Sequence, residues 1–214
     1  YSGLPIGGLS EKIAKEEQDA FLYGVIESGH LSVLEHASFT FAVEGVSRVL
    51  LAQLTRHRIA SFSVQSQRYV SKEKGFDYVV PPSIAALGKE AEAEYARQME
   101  TMHAWYAAWQ EKLGGKGEKA NEDARFVLPG ACETRLLVTM NARELLHFFS
   151  LRCCSRAQWE IRALADEMLR LSHAAAPALF AKAGPPCVAG PCPEGKRTCG
   201  RPDEARKRMA ALKM

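Results

Sequence analysis

The segment Thr55–Tyr69 concentrates side chains suited to holding phosphate oxygens. Its sequence, TRHRIASFSVQSQRY, places Arg56, Arg58 and Arg68 among three serines and a histidine within fifteen residues. Guanidinium groups can pair with phosphate through two parallel hydrogen bonds, and hydroxyl groups add further donors. Cations also stabilise the C-terminal end of a helix without binding a ligand. The segment therefore has two interpretations, an anion site or an ordinary helix end followed by a loop.

The preceding residues, Val46–Leu54, predict the helix that carries these arginines. Leucines recur there at helical spacing, and Ser47 is placed to cap the first turn. Gln53 lies three residues before Arg56, so both side chains should share one helix face. The residues after this helix are predicted to form a polar connection rich in hydroxyl groups.

Two strands are predicted on either side of the middle of the chain. Phe39–Glu44 alternates apolar and polar residues, and Thr134–Met140 is rich in β-branched and apolar residues. The second strand delivers Asn141 to a capping box that opens a helix carrying His147 and reaching Arg152. Capping alone accounts for Asn141, but a strand-to-helix junction also exposes backbone N–H groups that suit anions.

Apolar periodicity predicts longer helices elsewhere in the chain. They run from Ser10 to Gly29, from Ser83 to about Leu113, and from Gln158 to Ala175. The last should pack along a narrow seam formed by Ile161, Leu164, Met168, Leu171 and Ala175. Short strands separated by helices of uneven length favour an α+β fold over a doubly wound sheet.

Composition limits the classes of partner. The 214 residues are 47% hydrophobic, which predicts one core domain, residues 1–183, with a C-terminal tail, residues 184–214. A net charge of +3 is too small to indicate nucleic acid. The basic run Arg201–Lys213 lacks interleaved aromatics and resembles a solvated helix. No apolar run approaches the roughly 20 residues that a membrane span requires, and no secretory signal is visible.

The six cysteines indicate a reducing, cytoplasmic setting. Three of them form the pattern Cys187-x4-Cys192-x6-Cys199, which is one ligand short of a closed zinc site. A fourth ligand could come from another cysteine, a histidine or another subunit. A flexible or docked tail without metal is the alternative, and no metal ligands are assigned from the sequence.

The pattern RHR-x2-S-x4-S-x-R at residues 56–68 resembles the signature of flavin-dependent thymidylate synthases. The resemblance continues in GH-x-(S/T)-x-x-EH at Gly29–His36, in MNARELLHFFSLR at Met140–Arg152 and in RAQWE at Arg156–Glu160. It spans about His30 to Trp159. It implies a compact core that holds a small antiparallel sheet flanked by long helices, in a homotetramer whose active sites are shared between subunits.

The resemblance also implies two sets of binding residues. Those matching the deoxyuridylate (dUMP) pocket are Gln53, Arg56, Ser66, Arg68, Arg135 and Arg152. Those matching FAD contacts are Ser32, Arg56, His57, Arg58, Asn141, Arg143 and His147, with the histidines close to the folate as well. Arg152, which matches the arginine that contacts the uracil, and His57 are the predicted catalytic residues.

The implied reaction moves a one-carbon unit from methylenetetrahydrofolate to dUMP, with hydride from reduced FAD and with NADPH regenerating the flavin. A guanidinium beside the pyrimidine would stabilise negative charge as it develops on the ring. Ser66 is predicted to bind nucleotide rather than to act as nucleophile, because no general base is fixed beside it. No cysteine occupies a motif position, so a cysteine-nucleophile methylation is not supported.

The sequence departs from the family pattern in two places. Family members carry a segment ahead of the position of Tyr1, so we expect a trimmed chain or a miscalled start, and weaker FAD binding if the absence is real. Many relatives have Glu or Gln where Val64 stands; Gln65 is a candidate substitute, although adjacent strand residues point to opposite sides. A nucleotide- or flavin-binding module without turnover is therefore the alternative to the enzyme.

Overall fold

The computed structural model describes residues 3–15, 18–72, 75–115 and 117–214. The prediction of a trimmed chain concerns Tyr1, which lies outside the described residues. The strands are β1 (Ser38–Ser47), β2 (Ala60–Val64) and β3 (Glu133–Asn141). The helices are α1 (Ile6–Lys15), α2 (Asp19–Glu27), α3 (Arg48–Leu54), α4 (Pro82–Ala85), α5 (Lys89–Lys112), α6 (Glu118–Ala124), α7 (Ala142–Arg152), α8 (Trp159–Ala175), α9 (Pro177–Phe180) and α10 (Pro202–Leu212). Short 3-10 helices lie at Leu31–His36, Arg125–Val127, Pro186–Val188 and Gly195–Arg197.

The α+β prediction is confirmed. The three strands form one small antiparallel sheet in the order β1-β3-β2, and helices make up most of the remaining regular structure. The chain forms two compact units, which we call the helical unit (residues 1–39 and 140–214) and the sheet unit (residues 40–139). Within the described residues, no helix combines the length and apolar character needed to cross a membrane. The division into a core at 1–183 and a tail at 184–214 stays a prediction.

The sheet unit is built on the alternation of β3. Leu136 and Val138 are buried, whereas Arg135 and Leu137 between them are exposed. One face of the strand therefore joins the core and the other remains open, as the two-residue period of a strand requires. The long helix α5 packs against α6 and contributes the fully buried Tyr106 to the same unit.

The helical unit is centred on α7 and α8, which pack against each other. The Phe149 and Phe180 rings meet edge to face with centroids 5.9 Å apart, and Phe39 meets Phe180 at 5.3 Å. Burying each such side chain contributes about 1.5–3 kcal/mol, and edge-to-face pairs add roughly 0.5–1.5 kcal/mol. This aromatic cluster fixes the helix that carries Asn141 at its start and Arg152 at its end.

The C-terminal residues pack on the helical unit instead of remaining free. Helix α10 contacts α8 and the 3-10 helix at Pro186–Val188, and it buries Ala205 and Met209. Arg208 Nε lies 3.0 Å from the Asp166 carboxylate of α8. The described part of the tail is therefore docked on the helical unit.

Several helix boundaries differ from the predictions. Ser10 does not cap a helix, because it lies inside α1, which already begins at Ile6 just after Pro5. The single helix predicted from Ser10 to Gly29 is wrong, since α1 ends at Lys15 and a second helix, α2, begins at Asp19. Its predicted end at Gly29 is confirmed, since α2 stops at Glu27 and Gly29 has a φ of +76°. The single helix predicted from Ser83 to Leu113 is wrong. It is divided into α4 and α5 at Gly88, whose φ of +100° no helix accommodates.

Two further predictions need correction. The polar connection after α3 contains a strand, β2, because Ala60, Phe62 and Val64 are half-buried in alternation with exposed serines. The seam of α8 is also wrong in part. Leu171 is 43% exposed and Ala175 is exposed too. The face that is buried comprises Ile161, Ala165, Met168, Leu169 and Ser172.

Candidate functional site

The start of α3 is anchored so that its end has a fixed position in the sheet unit. Its first N–H groups have no partners within the helix. The Arg48 N–H donates to Cys132 O at 3.1 Å and the Val49 N–H to Gly130 O at 3.1 Å. The Ser47 hydroxyl accepts from the Leu50 N–H at 3.1 Å, which confirms the predicted cap. With these donors satisfied, α3 presents the predicted site residues at its C-terminal end.

The residues after α3 combine a buried ring with two exposed cations. His57 is only 6% exposed, whereas Arg56 and Arg58 on either side are exposed. In the described part of the chain, no side-chain partner is found for either guanidinium group. Gln53, predicted to share a helix face with Arg56, is half-buried, and its carbonyl accepts from the Arg56 N–H at 3.4 Å. The two guanidinium groups are therefore available for an anionic ligand.

The second half of the signature runs along β2 to the edge of an open pocket. The Gln65 N–H donates to Arg135 O at 2.8 Å, which places the end of the signature beside β3. A pocket of about 530 Å³ lies over the exposed face of the sheet, lined by Ala42, Val43, Glu44, Ser63, Gln65, Arg135, Leu136 and Leu137. The Arg135 guanidinium lies 3.8 Å from the Glu44 carboxylate, both largely exposed. Gln65, the candidate substitute for the family acid, lines this pocket, and Val64 does not.

Ser66 and Arg68 are brought together by a tight turn. The Ser66 hydroxyl accepts from the Arg68 N–H at 3.2 Å, and Ser66 O accepts from the Val70 N–H at 3.0 Å. The Ser66 hydroxyl is thus used in local structure, as serines in turns often are. This agrees with the prediction that it is not an activated nucleophile.

Arg68 is already paired with two carboxylates from α6. Its Nη2 contacts Glu118 Oε1, and its Nε lies 3.2 Å from Glu122 Oε2 without hydrogen-bond geometry. The side chain is 37% exposed. A phosphate group that bound this arginine would exchange places with carboxylates that have the same charge sign and a similar shape.

A buried polar network supports the backbone of Arg68. Asn121 Nδ2 donates to Arg68 O at 2.9 Å, and Asn121 Oδ1 accepts from the Tyr106 hydroxyl at 3.1 Å. Gln110 Nε2 donates to the Tyr106 hydroxyl at 3.0 Å and to Ser71 Oγ at 3.2 Å. Tyr106, Gln110 and Asn121 are all at most 5% exposed. Sequence analysis missed these three residues because none belongs to a motif, and the contacts join positions far apart in the chain.

The remaining predicted site residues belong to the helical unit, where α7 contacts the 3-10 helix at Leu31–His36. Ser32 on that 3-10 helix is exposed. Asn141 Oδ1 accepts from the Glu144 N–H at 2.9 Å, which confirms the predicted cap of α7. Arg143 pairs with Glu35 at 2.5 Å.

Arg143 and His147 are four residues apart on α7 and both are exposed, so they share one outer face of the helix. Arg152, the last residue of α7, is half-buried. Cations at this end of a helix are stabilised by its dipole.

Two buried cysteines are poorly suited to act as nucleophiles. Burial raises the pKa of the Cys132 thiol, and burial together with the neighbouring Asp166 raises the pKa of the Cys153 thiol. The reactive form of cysteine is the thiolate, so both side chains remain in their unreactive form near neutral pH.

Comparison with known proteins identifies the family. Residues 4–178 match the family described as "Thymidylate synthase complementing protein". The chain belongs to that family. It is 53% identical over 208 residues to a "Flavin-dependent thymidylate synthase" of Geobacter sulfurreducens, covering 97% of this chain and 87% of the relative. It is 56% identical over 198 residues to one of Nitratidesulfovibrio vulgaris, covering 90% and 80%, and 45% identical over 217 residues to one of Clostridium tetani, covering 97% and 87%.

The family match includes every predicted site residue, because all of them lie between residues 4 and 178. It also includes the residues of the buried network that supports Arg68. Residues 184–214, which contain three of the six cysteines, lie beyond the residues matched by the family. Most of them lie within the alignment with the Geobacter relative, which covers 97% of this chain.

Proposed function

We propose that this chain is a flavin-dependent thymidylate synthase that makes dTMP from dUMP. What carries the proposal is the family match over residues 4–178, together with relatives of that name at 45–56% identity over 90% or more of the chain. Methylenetetrahydrofolate is the proposed one-carbon donor, FAD the flavin and NADPH its reductant. The free cysteines agree with a reducing, cytoplasmic setting.

The donor set fits a flavin dinucleotide. A pyrophosphate group needs fixed positive charge and N–H donors, and Arg56 and Arg58 offer guanidinium groups without partners among the described residues. Ser32, Asn141, Arg143 and His147 are proposed as further FAD contacts, as is the buried His57. When bound, FAD would supply the hydride that the protein's own side chains cannot provide.

The nucleotide would be held mainly by cations. Arg68 and Arg135, with Ser66, are proposed to take the phosphate and sugar of dUMP, and Gln53 and Arg56 to complete the pocket. Arg152 is proposed to face the uracil. C5 of uracil becomes nucleophilic only as the ring gains negative charge, and a permanently protonated guanidinium stabilises that charge. The role of the protein is to orient the reactants and to polarise the ring.

Exposed apolar residues support assembly of several chains. On α5, Trp105 and Trp109 are 55% and 47% exposed, and Leu113, the residue after the helix, is 43% exposed. Large aromatic side chains in such a row are better explained by burial in an interface than by contact with water. We propose the homotetramer that the resemblance implies, with sites shared between subunits.

A tritium-release assay tests the proposed activity. The substrate is dUMP labelled at C5, with methylenetetrahydrofolate, NADPH, and FAD added or omitted. We expect label to be released as water only with FAD, because the C5 proton leaves when the one-carbon unit is transferred. Arg152→Gln should reduce the rate of tritium release by at least about a hundredfold while dUMP still binds. Absence of release from the unaltered protein, with dUMP still bound, would instead identify a binding module without turnover.

A further inference from the structure

Four cysteines of the helical unit lie outside the proposed active site. Cys154 follows the end of α7, Cys187 lies in the 3-10 helix at Pro186–Val188, and Cys192 and Cys199 lie in the loops that lead to α10. All four are free thiols. Cys187 is 7% exposed, and the other three are half-buried.

Arg156 ties the Cys154 segment to the loop that carries two of the other cysteines. Its Nη1 lies 3.4 Å from Glu194 Oε2 and donates to Arg197 O. Glu194 is two residues after Cys192, and Arg197 is two residues before Cys199. The Ala157 N–H also donates to Cys154 O at 2.9 Å, so a turn fixes Cys154 relative to Arg156.

Helix α10 fixes the same region from the other side. Arg206 Nε donates to Cys187 O at 3.0 Å, and α10 contacts the 3-10 helix that carries Cys187. Arg208 pairs with Asp166 and donates to Cys153 O. The four cysteine-bearing segments are therefore connected to one another by hydrogen bonds and ion pairs.

The Cys187 thiol lies within electrostatic range of the thiols of Cys154, Cys192 and Cys199. Without a cation, two thiolates in this cluster would repel each other. A bound divalent ion reverses that effect, because it holds coordinating thiols in their deprotonated form.

We propose that Cys154, Cys187, Cys192 and Cys199 form a tetrathiolate site for one zinc ion, which would link the end of α7 to the C-terminal tail. Four sulfur ligands close the coordination shell of zinc and leave no position for a substrate, so the site is structural. Binding forms four zinc–sulfur bonds and releases four protons. Lys196 and Arg197, which lie between Cys192 and Cys199 in the sequence, would offset part of the resulting net charge of −2.

The thiols are near each other but have not converged. In the described part of the chain, no three metal-binding side chains are already grouped as ligands of one ion. Protonated thiols do not attract one another, and metal binding commonly completes the geometry as it displaces the protons. The hydrogen-bonded framework limits the distance over which the side chains must move.

Metal analysis of the intact protein tests the site. The protein would be purified under reducing conditions, incubated with zinc chloride, treated with a weak chelator and desalted before elemental analysis. We expect about one zinc atom per chain. Less than about 0.1 zinc atom per chain after this loading, bound iron in place of zinc, or disulfides among the four cysteines despite the reductant would overturn the proposal.

Two matched variants test the ligand set. The zinc content of Cys154→Ser should be at least about tenfold lower than that of the unaltered protein. The adjacent Cys153→Ser should retain its zinc, because Cys153 is fully buried and interacts with Asp166 instead. Cobalt substituted for zinc should give the thiolate charge-transfer bands of a four-sulfur tetrahedral site in the Cys153→Ser variant and lose them in Cys154→Ser. Full zinc content in Cys154→Ser with an unchanged cobalt spectrum would exclude Cys154 as a ligand. Since the test does not use activity, it is independent of the proposed thymidylate synthesis.

Discussion

The two arginine-bearing parts of the signature are only ten residues apart, but their guanidinium groups differ in the contacts that they make. Arg56 and Arg58 follow the end of α3 with exposed guanidinium groups that have no partner among the described residues. Arg68 is paired with Glu118 and Glu122, and a buried network holds its backbone. The first segment can gain contacts from a ligand without losing any, whereas the second must exchange existing contacts for new ones. Charge count alone therefore does not give the strength of an anion site.

The largest effect is expected from removing the unpaired cations. Arg56→Ala combined with Arg58→Ala should weaken FAD binding by about a hundredfold, because each charge-assisted hydrogen bond contributes about 1.5–3 kcal/mol. The free energy of unfolding should change by no more than about 0.5 kcal/mol, since neither guanidinium group makes an ion pair or side-chain hydrogen bond among the described residues. Titration followed by flavin fluorescence measures the first quantity, and urea unfolding the second. Lys89→Ala combined with Arg97→Ala, at two exposed cations on α5, is the control because it makes the same change in net charge. Equal weakening by the control would show that only overall charge matters.

The second-largest effect is expected from disrupting the buried network that supports the backbone of Arg68. Asn121→Leu removes the donor to Arg68 O and the acceptor of the Tyr106 hydroxyl in a fully buried position. We expect a loss of about 2–4 kcal/mol in the free energy of unfolding, because Arg68 O loses its donor and the Tyr106 hydroxyl proton loses its acceptor in a buried network. Binding of dUMP should weaken as the turn loosens. Lys119→Ala on the same helix is the control, and similar stability for the two variants would refute a role for the network.

A smaller effect is expected where α3 is anchored. A Cβ at Gly130 would lie 2.7 Å from Val49 Cγ2, so Gly130→Ala should destabilise the protein by about 1–3 kcal/mol. Gly24→Ala is the matched control, because nothing lies within 4 Å of its added Cβ and α2 should gain roughly 0.5–1 kcal/mol. Thermal and urea unfolding of the two variants should therefore shift in opposite directions. If both shifted the same way, close packing at Gly130 would not be what positions α3.

The smallest effect is expected from removing one of the carboxylates that compete with the proposed nucleotide phosphate for Arg68. Glu122→Gln removes one of its carboxylate partners, and exposed ion pairs of this kind contribute only about 0–1 kcal/mol. Stability should hardly change, but dUMP should bind a few-fold more tightly because less internal contact is displaced. Calorimetry with dUMP measures the difference. Weaker binding in this variant would mean that Glu122 assists the nucleotide instead of competing with it.

Local signals explain what the sequence predicted well. The cap at Asn141 and the boundaries of α7 follow from a strand, a capping residue and a helix in direct succession. The cap at Ser47 is equally local. Elements were missed where a local signal was weak or ambiguous: β2 has serines at every second position, and Gly88 interrupts a helix pattern that otherwise continues.

The candidate site was accessible from sequence chiefly through its resemblance to a known family, and the match over residues 4–178 confirms the family. The supporting residues were not accessible in that way. Tyr106, Gln110 and Asn121 come from two helices and reach Arg68 across as many as 53 positions of the chain. No periodicity predicts such contacts, because they depend on how α5 and α6 pack. The roles of the individual site residues stay predictions until the variants are measured.

The carboxylate pair around Arg68 has a consequence for ligand discrimination. Any ligand that takes this guanidinium must displace Glu118 and Glu122, so its affinity is the difference between two ionic contacts. A phosphate monoester carries close to two negative charges near neutral pH and can replace both partners. An uncharged nucleoside offers no compensation for the displaced carboxylates. If Arg68 binds the nucleotide phosphate as proposed, the two glutamates would favour the monophosphate over the uncharged nucleoside without either glutamate contacting the base.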